Sequence, residues 1–67
     1  MRNPQRDPAR LLSVPETAVA LGVGRTMIYE LIARGELDSF KLGARRLVPA
    51  AEVDRFVAGR LAAARGA

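Results

Sequence analysis

The side chains in this sequence best suited to a charged partner gather at two places. The first is Arg25-Thr26-Met27-Ile28-Tyr29-Glu30-Leu31-Ile32-Ala33-Arg34. The second is Lys41 with Arg45 and Arg46, three positive charges in six residues with no acid among them. A guanidinium forks onto phosphate oxygens and onto guanine edges. Hydroxyls such as those of Thr26 and Tyr29 reach phosphate, and threonine also meets a thymine methyl. Arg25, Thr26 and Tyr29 therefore have the chemistry of a surface that reads a nucleic-acid duplex. Lys41, Arg45 and Arg46 suit one that follows its backbone or enters a minor groove. Each position also has a plainer reading. Arg25 can solvate a helix start, Tyr29 can edge a core, and Met27 is either core filler or an apolar base contact. Glu30 either faces water or accepts from a cytosine amino group, Arg34 either binds phosphate or caps a helix end, and Arg45 and Arg46 can form a solvated turn.

Other chemistries are poorly supported. Histidine and cysteine are both missing, so the ordinary base–nucleophile pairs, a disulfide and a thiolate metal site are excluded. A metal would need carboxylates alone, and Glu16, Glu30, Glu36, Asp38, Glu52 and Asp54 are scattered. Tyr29 as a recombinase nucleophile lacks the supporting basic cluster. Gly22-Val23-Gly24 begins a dinucleotide fingerprint, but the third position is Met27 and no strand precedes it. The expectation is a non-enzyme with no cofactor, no metal and no small-molecule ligand.

The chain has 67 residues and a formal charge of +4, and ten of its eleven cationic side chains are arginine. That balance favours polyanions, although an arginine- and alanine-rich chain also fits a GC-rich genome. The length allows one domain with a thin core. No apolar run approaches ~18 residues and the N-terminus has no apolar h-region, so no membrane partner is expected. The lack of cysteine fits a reducing compartment, and the expected location is cytoplasmic, on the nucleoid.

The elements that must position these side chains can be read in order. Residues 1–10 hold Pro4, Pro8, Arg2, Arg6 and Arg10 and read as a disordered basic arm. Residues 11–65 read as the domain. Ser13-Val14-Pro15-Glu16 is a capping box that starts a helix, with Val14, Ala18 and Leu21 as its apolar stripe and Thr17 and Ala20 pointing elsewhere. Gly22 suits a left-handed helix end, Val23 an apolar plug at the corner, and Gly24 a weak cap for the next helix. That second helix should run over 25–34, bury Ile28, Leu31 and Ile32, and stop at Gly35, with Leu37 tucked beneath the pair. Ser39-Phe40-Lys41-Leu42 alternates like a strand, with Phe40 and Leu42 on one face. Gly43-Ala44-Arg45 closes a hairpin, and Arg46-Leu47-Val48 returns with Val48 as the buried residue. Pro49 ends that strand. A third helix should run from Ala50 to about Ala64, with Val53, Phe56, Val57 and Leu61 as its core stripe. Two helices joined by a glycine corner outline a helix-turn-helix, whose second helix can lie in a major groove.

The order Leu12-Ser13-Val14-Pro15-Glu16-Thr17-Ala18, Leu21-Gly22-Val23, Ile28-Tyr29-Glu30-Leu31-Ile32, Gly35-Glu36-Leu37, Lys41-Leu42-Gly43, Arg45-Arg46, Val48-Pro49 and Val53-Asp54-Arg55-Phe56 resembles the excisionase-type, MerR-like winged helix-turn-helix domains. The resemblance covers Leu11 to about Val57. It implies a mainly α fold of three helices with a two-stranded β-hairpin wing. It places Arg25, Thr26, Met27, Tyr29 and Glu30 on a helix in the major groove, to which the residue reading adds Arg34 as a candidate at the helix end, and it places Lys41, Arg45 and Arg46 on a wing at the adjacent minor groove or backbone. Two positions depart from the family pattern: Gly24 stands where serine is frequent, and Glu30 where a basic residue is common.

The resemblance implies a sequence-specific binder of double-stranded DNA acting as an excisionase, a recombination directionality factor. Such proteins bend attachment-site DNA and steer a tyrosine integrase toward excision. With only the DNA-binding domain expected, specificity should come from cooperative self-association on adjacent sites or from the integrase. A stand-alone transcriptional regulator of the same fold is the alternative. A module that uses its apolar helix faces to bind protein, and never meets DNA, is the reading from another class.

Overall fold

The computed structural model of the protein describes residues 9–66. The proposed arm, with Arg2, Arg6, Pro4 and Pro8, otherwise lies outside them, but Arg10 belongs to the ordered part. Its carbonyl accepts the Ala50 N–H at 2.8 Å, and its guanidinium meets the Glu16 carboxylate at 2.9 Å. The described elements run β1 (Leu11–Ser13), α1 (Val14–Leu21), α2 (Arg25–Ala33), β2 (Phe40–Leu42), β3 (Arg45–Pro49) and α3 (Ala50–Gly66). Three helices thus accompany a small antiparallel sheet, as a winged helix-turn-helix requires.

Local chemistry fixes the helix ends. The Ser13 hydroxyl accepts the Glu16 N–H at 3.2 Å, and the Glu16 carboxylate accepts the Ser13 N–H at 2.8 Å, completing the capping box. At the other end of α1, Gly22 takes φ +70°, and the Gly22 and Val23 N–H groups return to the carbonyls of Val19 and Ala18. The same closure ends α2. Gly35 at φ +75° donates to Ile32, and Glu36 donates to Leu31. Both are left-handed glycine ends that release the chain at a defined angle.

The sheet departs from a two-stranded wing. Its order is β1-β3-β2, because Leu11–Ser13 pairs antiparallel with Leu47–Pro49. β3 is therefore the central strand, and Leu47 is buried alongside Val48 rather than left on an open face. The hairpin closes with Leu42 opposite Arg45 across Gly43-Ala44. Gly43 has φ +63° and Ala44 does not share that sign, the arrangement of a loop with glycine in its first position.

The core gathers Leu12, Val14 and Ala18 with Ile28 and Leu31, then Leu37, Val48, Ala50 and Val53; Leu21, Ile32 and Phe56 pack at its rim. Four expectations need correction. Thr17 does not point elsewhere: it is 0% exposed, and its hydroxyl donates to the Ser13 carbonyl at 2.8 Å. It sits three residues from Val14 on the same helix face, and that hydrogen bond lets it be buried. Val23 is 40% exposed and stands outside the core cluster, and backbone hydrogen bonds from Gly22 and Val23 close the corner. Val57 and Leu61 leave the core at 39% and 50% exposure. The body under α3 ends near Phe56, and the helix continues past it to Gly66.

Candidate nucleic-acid interface

α2 is held from beneath by Ile28 and Leu31, which fixes what it turns outward. Arg25, Thr26, Tyr29, Glu30 and Arg34 are all exposed. Tyr29 at 54% and Met27 at 41% exposure are not core residues. The helix starts without a side-chain cap at Gly24 and without an acid in its first turn. Its first N–H groups and the positive end of its dipole therefore lie beside Arg25 without a side-chain cap or an acid in the first turn. Sequence reasoning named Arg25 but passed over these backbone donors; the signal was glycine in place of a serine cap.

Glu30 and Arg34 are brought together. They form an ion pair one turn apart at 3.5 Å, and Arg34 also reaches the Glu36 carboxylate at 3.3 Å. The acid on the exposed face is thereby partly neutralised by its own helix, and the Arg34 guanidinium already has two carboxylates.

On the wing, the register sets Lys41 opposite Arg46, and Leu42 opposite Arg45. Because side chains alternate along a strand, Lys41 and Arg46 share one face, and Arg45 lies on the other with Leu42 and Phe40. Phe40 and Leu42 do share a face as read, and both are exposed, whereas Leu47, opposite Phe40 on that face, is buried. Like charges directly opposite on a hairpin are unfavourable without an anion between them. The Arg46 guanidinium donates a 2.8 Å hydrogen bond through one terminal nitrogen to the Ser39 hydroxyl, a contact with no sequence signal.

The acids divide the cations into two sets. Arg10 pairs with Glu16, Arg34 with Glu30 and Glu36, Arg55 with Glu52, and Arg60 with Glu36. The Ser13 N–H, then its hydroxyl and Arg10, hold the Glu16 carboxyl below its ordinary range. Arg55 does the same for Glu52, and Glu52 in turn raises the Arg55 guanidinium. Arg25, Lys41, Arg45 and Arg46 have no carboxylate partner among the described residues. No group of acids there could hold a metal, and no helix is long and apolar enough to cross a membrane.

This arrangement agrees with the chain's relatives. A family model described as a helix-turn-helix domain matches residues 11–61. A protein of Saccharopolyspora erythraea named "Probable excisionase" is 42% identical over 52 residues, covering 78% of this chain and 53% of the relative. The chain thus spans about half the length of that relative. An "Excisionase" of Streptomyces ambofaciens is 41% identical over 51 residues, covering 76% of this chain and 82% of the relative. No solved structure gives a significant match. With three helices, an antiparallel wing and these relatives, the chain belongs to the excisionase-type helix-turn-helix DNA-binding domains.

Proposed function

We propose that the chain binds duplex DNA sequence-specifically and acts as an excisionase. In this reading it bends attachment-site DNA and steers a tyrosine integrase toward excision, with copies binding cooperatively on adjacent sites. The observation that carries the reading is the division of charge. Carboxylates neutralise Arg10, Arg34, Arg55 and Arg60 on the scaffold, and among the described residues they leave Arg25 on α2, Lys41, Arg45 and Arg46 on the wing, and Arg65 at the far end of α3 without one. Arg25 with Thr26 and Tyr29 addresses the major groove, and the wing cations hold the neighbouring backbone. Glu30 and Arg34 chiefly satisfy one another. The relatives' names supply the biological context.

The test is an in vitro excision reaction with the cognate integrase and attachment-site DNA, run beside footprinting on the same DNA. The proposal expects protected sites near the recombination point and excision only when this protein is added. Protection confined to a promoter, with no effect on excision, would favour a transcriptional regulator. Absence of binding to any duplex would overturn the DNA-binding reading itself.

A further inference from the structure

We propose that Leu42 is an apolar wedge at the tip of the wing, which enters the minor groove, loosens one base step and so bends the DNA. This rests on the DNA-binding reading and names the side chain responsible for the bend that reading requires. The hairpin turns in two residues, because Leu42 stands opposite Arg45 across Gly43-Ala44. Gly43 takes φ +63°, and both turn residues are small and exposed, so no bulky side chain caps the tip. Phe40, on the same face as Leu42, stands opposite the buried Leu47, so the base of that face belongs to the body. Leu42 lies further out, 62% exposed, with Arg45 across from it instead of an apolar side chain. It belongs neither to the core nor to its rim.

The surroundings of Leu42 identify what receives it. Lys41 precedes it, Arg45 faces it and Arg46 follows, and no acid occurs from Ser39 to Ala51. A leucine set among cations suits a partner that is anionic at its rim and apolar within. The minor groove has that profile, with phosphates along its walls and sugars and base edges inside. Apolar side chains that enter it part a base step and kink the duplex toward the major groove by ~20–90°. In this pose the cations take phosphates on the walls, and Leu42 reaches past them. Sequence preference then falls on steps that open readily, TA and CA/TG, with no hydrogen bond to a base.

Energy transfer between dyes at the ends of a short duplex holding one footprinted site measures the bend. A fluorescent purine analogue in the step beneath the wing reports unstacking. Wild-type protein at saturation should bend the duplex and brighten the analogue. Leu42→Ala should lose at least ~20° of bend and most of the brightening, and its preference for a TA step over a stiff A-tract there should fall roughly fivefold. Its salt slope should match the wild type, since no cation is removed. Leu42→Met keeps the apolar bulk and should keep the bend. Leu42→Lys should tighten binding to every duplex yet leave it as straight as the alanine variant does. All three variants should fold normally, because the position lies outside the core. A bend unchanged in Leu42→Ala, or preserved in Leu42→Lys, would overturn the proposal. Lost excision with the bend intact would place Leu42 against a protein and overturn it equally. Wild-type binding without a bend would overturn the wedge alone, whereas no wild-type binding to any duplex would remove the DNA-binding reading and the wedge with it.

Discussion

Replacing Arg45 and Arg46 together by alanine should change the salt dependence of binding by a calculable amount. Four cations on α2 and the wing, Arg25, Lys41, Arg45 and Arg46, stand without carboxylate partners among the described residues. If each neutralises one phosphate, the slope of log affinity against log salt is about −3.6, and removing two brings it to about −1.8. Between ~50 and ~200 mM salt the wild type then loses ~150-fold in affinity and the variant only ~12-fold. Fluorescence anisotropy on a labelled duplex measures both. The decisive control is Arg55→Ala with Arg60→Ala, which removes the same net charge from side chains already held by Glu52 and Glu36. That pair should leave the slope near the wild-type value. If it flattens the slope as much as the wing pair does, affinity follows net charge, and the assignment of phosphate contacts to the wing is refuted.

Changing Arg25 to alanine should relax preference at one base position if it reads a guanine, or lower affinity evenly across sequences if it holds phosphate; binding to a randomised duplex pool separates the two. Ile28→Ala empties a fully buried position and should cost ~2–5 kcal/mol in urea unfolding, whereas Leu61→Ala should stay within ~0.5 kcal/mol because that side chain leaves the core. The Glu16 and Glu52 carboxyls are lowered by their hydrogen bonds when folded. Their stabilisation is therefore present above the ordinary glutamate value of 4.5 and is lost as pH falls through the lower folded values. Thermal melts should fall on acidification below that point. Glu16→Ala should blunt the fall without removing it, since Glu52 remains, and an unchanged acid profile would contradict the capping role.

What was legible in the sequence was local. Ser13 with Glu16, and the glycines at 22 and 35, specify helix ends through atoms a few residues away, so their spacing carries the structure. The strand at Leu11–Ser13 was not legible, because three residues carry no period and their partner lies some 35 residues further on in β3. Thr17 belongs by geometry to an apolar stripe from which its residue type alone excludes it, and its hydroxyl hydrogen bond to the Ser13 carbonyl is what permits the burial. On α3 the period was real, but periodicity names a face without saying what covers it. Val53 meets the body; Val57 and Leu61 run beyond it. At the interface, residue types nominated Arg25 and the wing. The ion pairs that occupy Arg34, and the register that separates Arg45 from Lys41 and Arg46, depend on contacts no single stretch encodes.

Net charge is consequently a poor guide to where this domain meets DNA. The relevant quantity is charge left over after folding, and the glutamates set it. Among the described residues, Glu16, Glu36 and Glu52 each take an arginine on the scaffold, which leaves unpaired cations at the start of α2, on the hairpin and, as Arg65 alone, at the far end of α3. The Lys41–Arg46 pair is the clearest sign, since it places like charges across a ladder with no acid beside them. In the free protein this arrangement weakens the hairpin; a phosphate between the two would turn mutual repulsion into shared attraction. Binding and wing stability are therefore linked. Salt should firm the free hairpin by screening its repulsion while it weakens the complex, and amide protection across β2 and β3 should rise with salt in the one state and with DNA in the other.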